Sequence, residues 1–238
     1  MNNQIETVNR PHALKRFDGE LEQLKQLALG MKRLLVTQLE QALQALEDGD
    51  AEMALKVVNR SLHVHQYHRE IDAEVLELLA RQAPVAGDLR TVISTSKIAV
   101  ELNNIGNEIE RFARLVAVLY DPATSDPNPR LLENIVKLAR LVMTMLINLM
   151  VAVEHGDASH MHELFYYEDQ CESEFQAGVK HQLDFVLRDV RLTSRSLDIM
   201  RMMKCLERSG EHCKNIAEYV VYMMDGIDVR HPASSRDF

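Results

Sequence analysis

Residues 197–226 read Leu-Asp-Ile-Met-Arg-Met-Met-Lys-Cys-Leu-Glu-Arg-Ser-Gly-Glu-His-Cys-Lys-Asn-Ile-Ala-Glu-Tyr-Val-Val-Tyr-Met-Met-Asp-Gly, and this stretch decides the fold. At the angular step of an α-helix, Ile199, Met202, Leu206, Cys213, Ile216, Val220 and Met223 fall on one broad apolar face. Glu207, Glu211, Lys214, Asn215 and Glu218 form a second stripe at spacings of 3 and 4. The apolar face needs a packing partner, and the carboxylate-rich stripe needs either water or a cation.

The stretch has an echo earlier in the chain. Leu102-Asn-Asn-Ile-Gly106-Asn-Glu-Ile-Glu resembles Leu206-Glu-Arg-Ser-Gly210-Glu-His-Cys-Lys at an offset of 104 residues. A second echo is independent of the first: Glu47-Asp48-Gly49-Asp50-Ala51 recurs as Glu154-His155-Gly156-Asp157-Ala158, at an offset of 107. Between the copies lies Asp121-Pro-Ala-Thr-Ser-Asp-Pro-Asn-Pro129, a linker with three prolines in nine residues. Two echoes at nearly equal offsets on either side of a linker imply a tandem repeat.

Each repeat reads as three helices. Leu21, Leu24, Ala28, Met31, Leu35, Leu39, Ala42 and Leu46 alternate spacings of 3 and 4, the seam of a first helix with Asp18 as N-cap. Gly49 then serves as its left-handed stop, and Asp50 caps the next helix. Helices are predicted over 18–48, 51–81, 87–120, 130–154, 158–187 and 194–225. The expected fold is all-α: two tandem three-helix bundles related by an internal repeat, elongated, each burying a single core. The organisation is an N-terminal arm (1–17, with Pro11 as breaker), a first bundle (18–120), the linker (121–129), a second bundle (130–226) and a tail (227–238). Gly106 and Gly210 fall inside helices, where glycine costs about 1 kcal/mol relative to alanine, so close approach of two helix backbones is expected there.

Composition supports helices and excludes several functions. The chain has 9 Gly and 6 Pro in 238 residues, too few for a turn-rich β fold. With 46% apolar and 26% charged residues it can build a core. A net charge of −9, with short basic clusters only at Lys15-Arg16 and Lys32-Arg33, argues against a general nucleic-acid binder. The most apolar run, Leu141 to Val153, is shorter than a bilayer span, so no direct membrane insertion is expected. The N-terminus lacks a signal-peptide plan, and Cys171, Cys205 and Cys213 form no CxxC pair, which fits a cytoplasmic protein.

Two constellations could carry chemistry. Glu207, Glu211, Asn215 and Glu218 share one side of the last helix, and Glu168, Asp169, Glu172 and Glu174 lie on the helix before it. Facing each other, these oxygens would suit Mg, Ca, Mn or Fe; facing water, they would form a solvated stripe with Lys214 paired to Glu211 and Glu218. In the first half, His65, His68 and Asp72 share a face that could hold a transition metal with Glu110, or form a hydrogen-bonded polar layer. No P-loop, GxSxG, HExxH or CxxC occurs, so no catalytic residue is assigned. His181 and His212 read as boundary residues, and neither a Gly-rich loop nor an arginine nest for phosphate is visible.

Leu206-Glu-Arg-Ser-Gly-Glu-His-Cys-Lys-Asn-Ile-Ala-Glu218 resembles the signature helix of the PhoU family. Gln82-Ala-Pro-Val-Ala-Gly-Asp-Leu-Arg90, followed by Lys97-Ile-Ala-Val-Glu-Leu-Asn-Asn-Ile-Gly106, resembles that family's first repeat. The resemblance runs from about 18 to 231. It implies a cytoplasmic, non-enzymatic, homodimeric negative regulator of phosphate uptake and of the phosphate-starvation response. The implied partners are the ATPase subunit of the phosphate ABC transporter and a sensor histidine kinase.

The resemblance also implies metal sites built from paired acids on two helices per bundle. Carried over, the second bundle keeps Asp169 and the pair Glu207 and Glu211, while Ser173 stands where an acid is expected. In the first, Asn103 and Asn107 replace acids, with Ser61 and His65 facing them. The expectation is a divalent or trivalent ion (Fe, Zn, Mg, Mn or Ca) in the second bundle or none, and a degenerate site at His65, Asn103 and Asn107. Two other readings stand beside this one: a metal-binding helical bundle acting as di-metal enzyme or metal store, and a metal-free helical adaptor for another transporter.

Overall fold

The structure, a computed structural model, describes residues 10–120, 131–155 and 161–230. Six helices account for nearly all of it: α1 (Arg10–Asp48), α2 (Ala51–Gln82), α3 (Ala86–Leu119), α4 (Glu133–His155), α5 (Met161–Arg188) and α6 (Thr193–Asp225). A single 3₁₀ turn, Val190–Leu192, links α5 to α6, and no strand occurs among the described residues.

The α1–α2 hairpin closes as its residues dictate. Gly49 takes φ +71, where only glycine is unstrained, and Asp50 accepts a hydrogen bond from the Met53 amide at 2.9 Å. Tyr120, just past the end of α3, donates its hydroxyl to the Leu46 carbonyl at 2.7 Å and so ties the hairpin to the third helix. The equivalent hairpin around Gly156 lies outside the described residues, as do the linker and the ends of the chain.

The start of α1 differs from expectation. Asp18 is not an N-cap, because the helix already runs from Arg10, and Pro11 sits in its first turn. Proline is tolerated there, since the amide it lacks would have no helical acceptor. At the other end of the first repeat, Gly87 and Asp88 lie inside α3, whose cap is Val85.

The two triplets do not keep separate cores. One cluster of buried apolar side chains runs through all six helices, from Leu24 and Leu39 through Phe112 to Leu138, Leu164 and Ile216. The cause is the breadth of the buried surface on α3 and α6. α2 buries one stripe, whereas α3 also buries Ser94, Ala99, Gly106 and Ala113, and α6 buries Ser209, Gly210 and Ala217. α3 and α6 pack along each other as the most extensive helix pair among the described residues. α1 also touches α4.

The two interior glycines are approached by side chains. A Cβ on Gly106 would lie 2.7 Å from Val64 Cγ1 and 3.3 Å from Leu35 Cδ2. A Cβ on Gly210 would lie 3.4 Å from both Cβ and Sγ of Cys171. Val64 against Gly106 and Cys171 against Gly210 are therefore equivalent contacts, and they set the register of the repeat in three dimensions.

Candidate functional site

That register decides which side chains meet between the second and third helices of each triplet. Val64 and Cys171 are 107 residues apart, so Ser61 of α2 corresponds to Glu168 of α5, and His65 to Glu172. On the partner helices, offset by 104, Asn103 corresponds to Glu207, Asn107 to Glu211, and Glu110 to Lys214. Asp169 and Ser173, the positions named from the sequence, follow Glu168 and Glu172 by one residue.

In the first triplet, His65 Nδ1 lies 2.8 Å from Asn103 Oδ1. Glu110 lies close by. Burial pushes its carboxyl up, but hydrogen bonds from Arg114 and Ser61 and the nearness of His65 leave it below the usual carboxylate range. This is a hydrogen-bonded polar layer. His68 turns to Asp72 of its own helix at 3.7 Å and does not join Glu110.

In the second triplet the same crossing is an ion pair. Lys214 Nζ donates to Glu168 Oε2 at 2.9 Å, and this bond raises the lysine above its ordinary value despite partial burial. Lys214 therefore bridges to α5, with the charge of Glu218 also acting on it. Glu207 pairs with Lys204 at 2.6 Å, while Asp169 and Glu211 are exposed. Both carboxylates that lie half-buried beside Cys171, Glu168 and Glu207, already have an ammonium partner.

As placed, neither set fits a resident metal. Among the described residues no three His, Cys, Asp or Glu side chains gather closely enough to hold one. The first site offers an imidazole and an amide where a hard cation needs carboxylates, and in the second Glu168 and Glu207 each lie against a lysine ammonium.

The cysteines are thiols, not nucleophiles. Burial pushes Cys171 up to about 12, helped by Glu168 and Glu207, and pushes Cys205 up to about 12, helped by Glu108. Cys213 is also raised, by burial and by Cys171 beside it.

The polar groups that sequence reading missed lie between α3 and α6. His212 Nδ1 meets Glu101 Oε2 at 2.6 Å, and Asn215 reaches the same oxygen at 3.5 Å. Glu108, only 4% exposed, receives Arg111 at 2.8 Å and has Arg208 at 3.5 Å. Arg90 donates to the Met223 carbonyl at 3.1 Å. The contacts of His212 and Asn215 with Glu101, of Arg208 with Glu108 and of Arg90 with Met223 tie the two triplets together. Glu108 carried one sequence signal, a carboxylate at a helical spacing shared with Ile105, Ile109 and Phe112. His181, at the far edge of α5, contacts Asn134 Oδ1 at 3.0 Å.

Comparison with known proteins gives a consistent result. The family model described as "PhoU domain" matches twice, over residues 29–116 and 135–220. The phosphate-specific transport system accessory protein PhoU homolog of Pseudomonas aeruginosa is 32% identical over 225 residues, covering 94% of this chain and 92% of that protein. The accessory protein PhoU of Escherichia coli K12 is 26% identical over 220 residues, covering 92% and 90%. The crystal structure of PhoU from P. aeruginosa superposes with a TM-score of 0.83 at 32% identity, over 89% of this chain and all of the other (100%). That of the phosphate transport system regulatory protein PhoU from Streptococcus pneumoniae gives 0.80 at 27% identity, over 90% and 99%.

Proposed function

The chain belongs to the PhoU family, and from that premise we propose that it is a cytoplasmic accessory protein that restrains phosphate uptake and the phosphate-starvation response. The observation that carries this reading is the full-length likeness in both repeats to proteins named as phosphate-transport accessory and regulatory proteins. It acts by contact, without catalysis of its own, on the ATPase subunit of a phosphate ABC transporter and on a sensor histidine kinase.

Physical features support a contact role. No described helix is long and apolar enough to cross a membrane, so the chain reaches a membrane transporter by docking. α2 presents Leu55, Leu62 and Leu76 to solvent at heptad-compatible spacing, with Leu62 70% exposed, a face suited to a second copy or a partner helix. A regulator of this kind must bind one conformational state of its partner better than another.

The test is co-purification of the full chain with the transporter ATPase in its apo, ATP-bound and ADP-bound states. Binding that differs between states is expected; absence of binding in all three overturns the docking mechanism. Deletion of the gene is expected to leave phosphate-starvation genes expressed in phosphate-replete medium.

A further inference from the structure

On a chain of net charge −9, one cleft collects cations. Arg111 and Arg114 of α3 and Arg201, Lys204 and Arg208 of α6 line an opening of about 410 Å³ where the two triplets meet. We propose that this cleft binds a phosphate-chain anion, a tri- or longer phosphate either free or carried by a nucleotide. The inference goes beyond the regulatory reading and does not depend on it.

The shape of the charge selects the ligand class. Four of the five cations are arginines, whose planar forks match phosphate oxygens two at a time. From Arg201 to Arg208 the cations run along roughly 10 Å of α6, at 1.5 Å rise per residue. Orthophosphate spans only a fraction of that length, whereas a phosphate chain presents charge all along it. The volume falls in the range of small-molecule sites.

The cleft is also prepared for an anion. At its base Glu108 holds Arg111 at 2.8 Å and lies 3.5 Å from Arg208, so these guanidiniums are positioned before any ligand arrives. Cys205 at the base stays a neutral thiol, and Leu115 adds an apolar wall. The remaining cations pair with acids on their own helices, Arg114 with Glu110, Arg201 with Asp198 and Lys204 with Glu207, and Lys204 also lies over the Phe175 ring of α5. Such partly exposed pairs are weak, and a multivalent anion can share the cations with them.

The experiment is calorimetric titration of the full chain with sodium tripolyphosphate, ATP and orthophosphate in low-salt, magnesium-free buffer. Saturable binding of tripolyphosphate is expected, weakening as salt rises, with orthophosphate at least tenfold weaker. ATP equal to tripolyphosphate means the phosphate chain alone is read; ATP tighter means a nucleotide is the carrier, and both support the site. Arg114→Gln with Arg201→Gln is the decisive variant, because neither residue touches Glu108 and both are more than half exposed. It should lose tenfold or more in tripolyphosphate affinity at only a small cost in ligand-free melting temperature, since Glu110 gives up Arg114 but keeps Ser61. Arg111→Gln with Arg208→Gln should lose affinity too, but it strips Glu108 of both cations and will also be less stable. Three results overturn the proposal: no saturable binding of tripolyphosphate or ATP, unchanged affinity in the first variant, or tighter binding of a poly-glutamate peptide with the same variant sensitivity. The last would assign the cleft to an acidic protein surface.

Discussion

The two triplets share a backbone plan and solve one crossing in opposite ways. Where α2 meets α3, a hydroxyl and a guanidinium serve a carboxylate, Ser61 and Arg114 on Glu110. At the equivalent place between α5 and α6, a lysine from α6 serves a carboxylate on α5, Lys214 on Glu168. The acid has changed helices. After duplication, a polar crossing constrains the pairing of groups and leaves open which helix carries the charge.

The glycines should separate the halves most strongly. Gly106→Ala is expected to destabilise the protein by about 1–3 kcal/mol through overpacking against Val64, a β-branched side chain that cannot swing away. Gly210→Ala meets Cys171 at ordinary contact distance and should instead gain up to about 1 kcal/mol from helix propensity. Urea denaturation of both variants checks the opposite signs; equal effects would break the proposed inequivalence.

The polar crossings come next. Lys214→Met, which leaves Glu168 unpaired, should cost about 1 kcal/mol, discounted because the lysine is 37% exposed at its side chain. Ser61→Ala should cost somewhat less, roughly 0.5–1 kcal/mol, since Glu110 keeps Arg114.

Their pH dependence should diverge as well. Glu110 is depressed in the folded state, so its contribution is present above the unfolded carboxylate value and is lost as pH falls through the folded one. Lys214 is raised, so its contribution is present below the unfolded lysine value and is lost as pH rises through the folded one. Glu110→Gln should therefore flatten the acid limb of the stability profile and leave the alkaline limb alone, and Lys214→Met should do the reverse.

The smallest effect expected is none. With all three cysteines buried and their thiols raised, a thiol reagent at neutral pH should label the native protein only at its unfolding rate. A chelator should leave the melting curve unchanged, because lysines already neutralise Glu168 and Glu207.

Six helices, their hairpin cap at Asp50 and the duplication were all legible in the sequence, because hydrophobic period and capping chemistry are local. α1 starts earlier than its sequence reading, because Pro11 breaks a helix interior but not a first turn. On α5 the structure turns Glu168 toward α6 and leaves Asp169 exposed. A shift of one residue turns a side chain by about 100° around a helix, and only the contact of Cys171 with Gly210 shows that Glu168, not Asp169, faces α6.

What the chain by itself determined is a helical repeat written twice, because spacing of apolar residues fixes which face of each helix must be buried. Only the tertiary structure decided that both repeats share one core along α3 and α6, and that Arg111 and Arg114 meet Arg201, Lys204 and Arg208 across it. Those residues stand some 90 positions apart, and no local pattern carries the rotation of one helix against another.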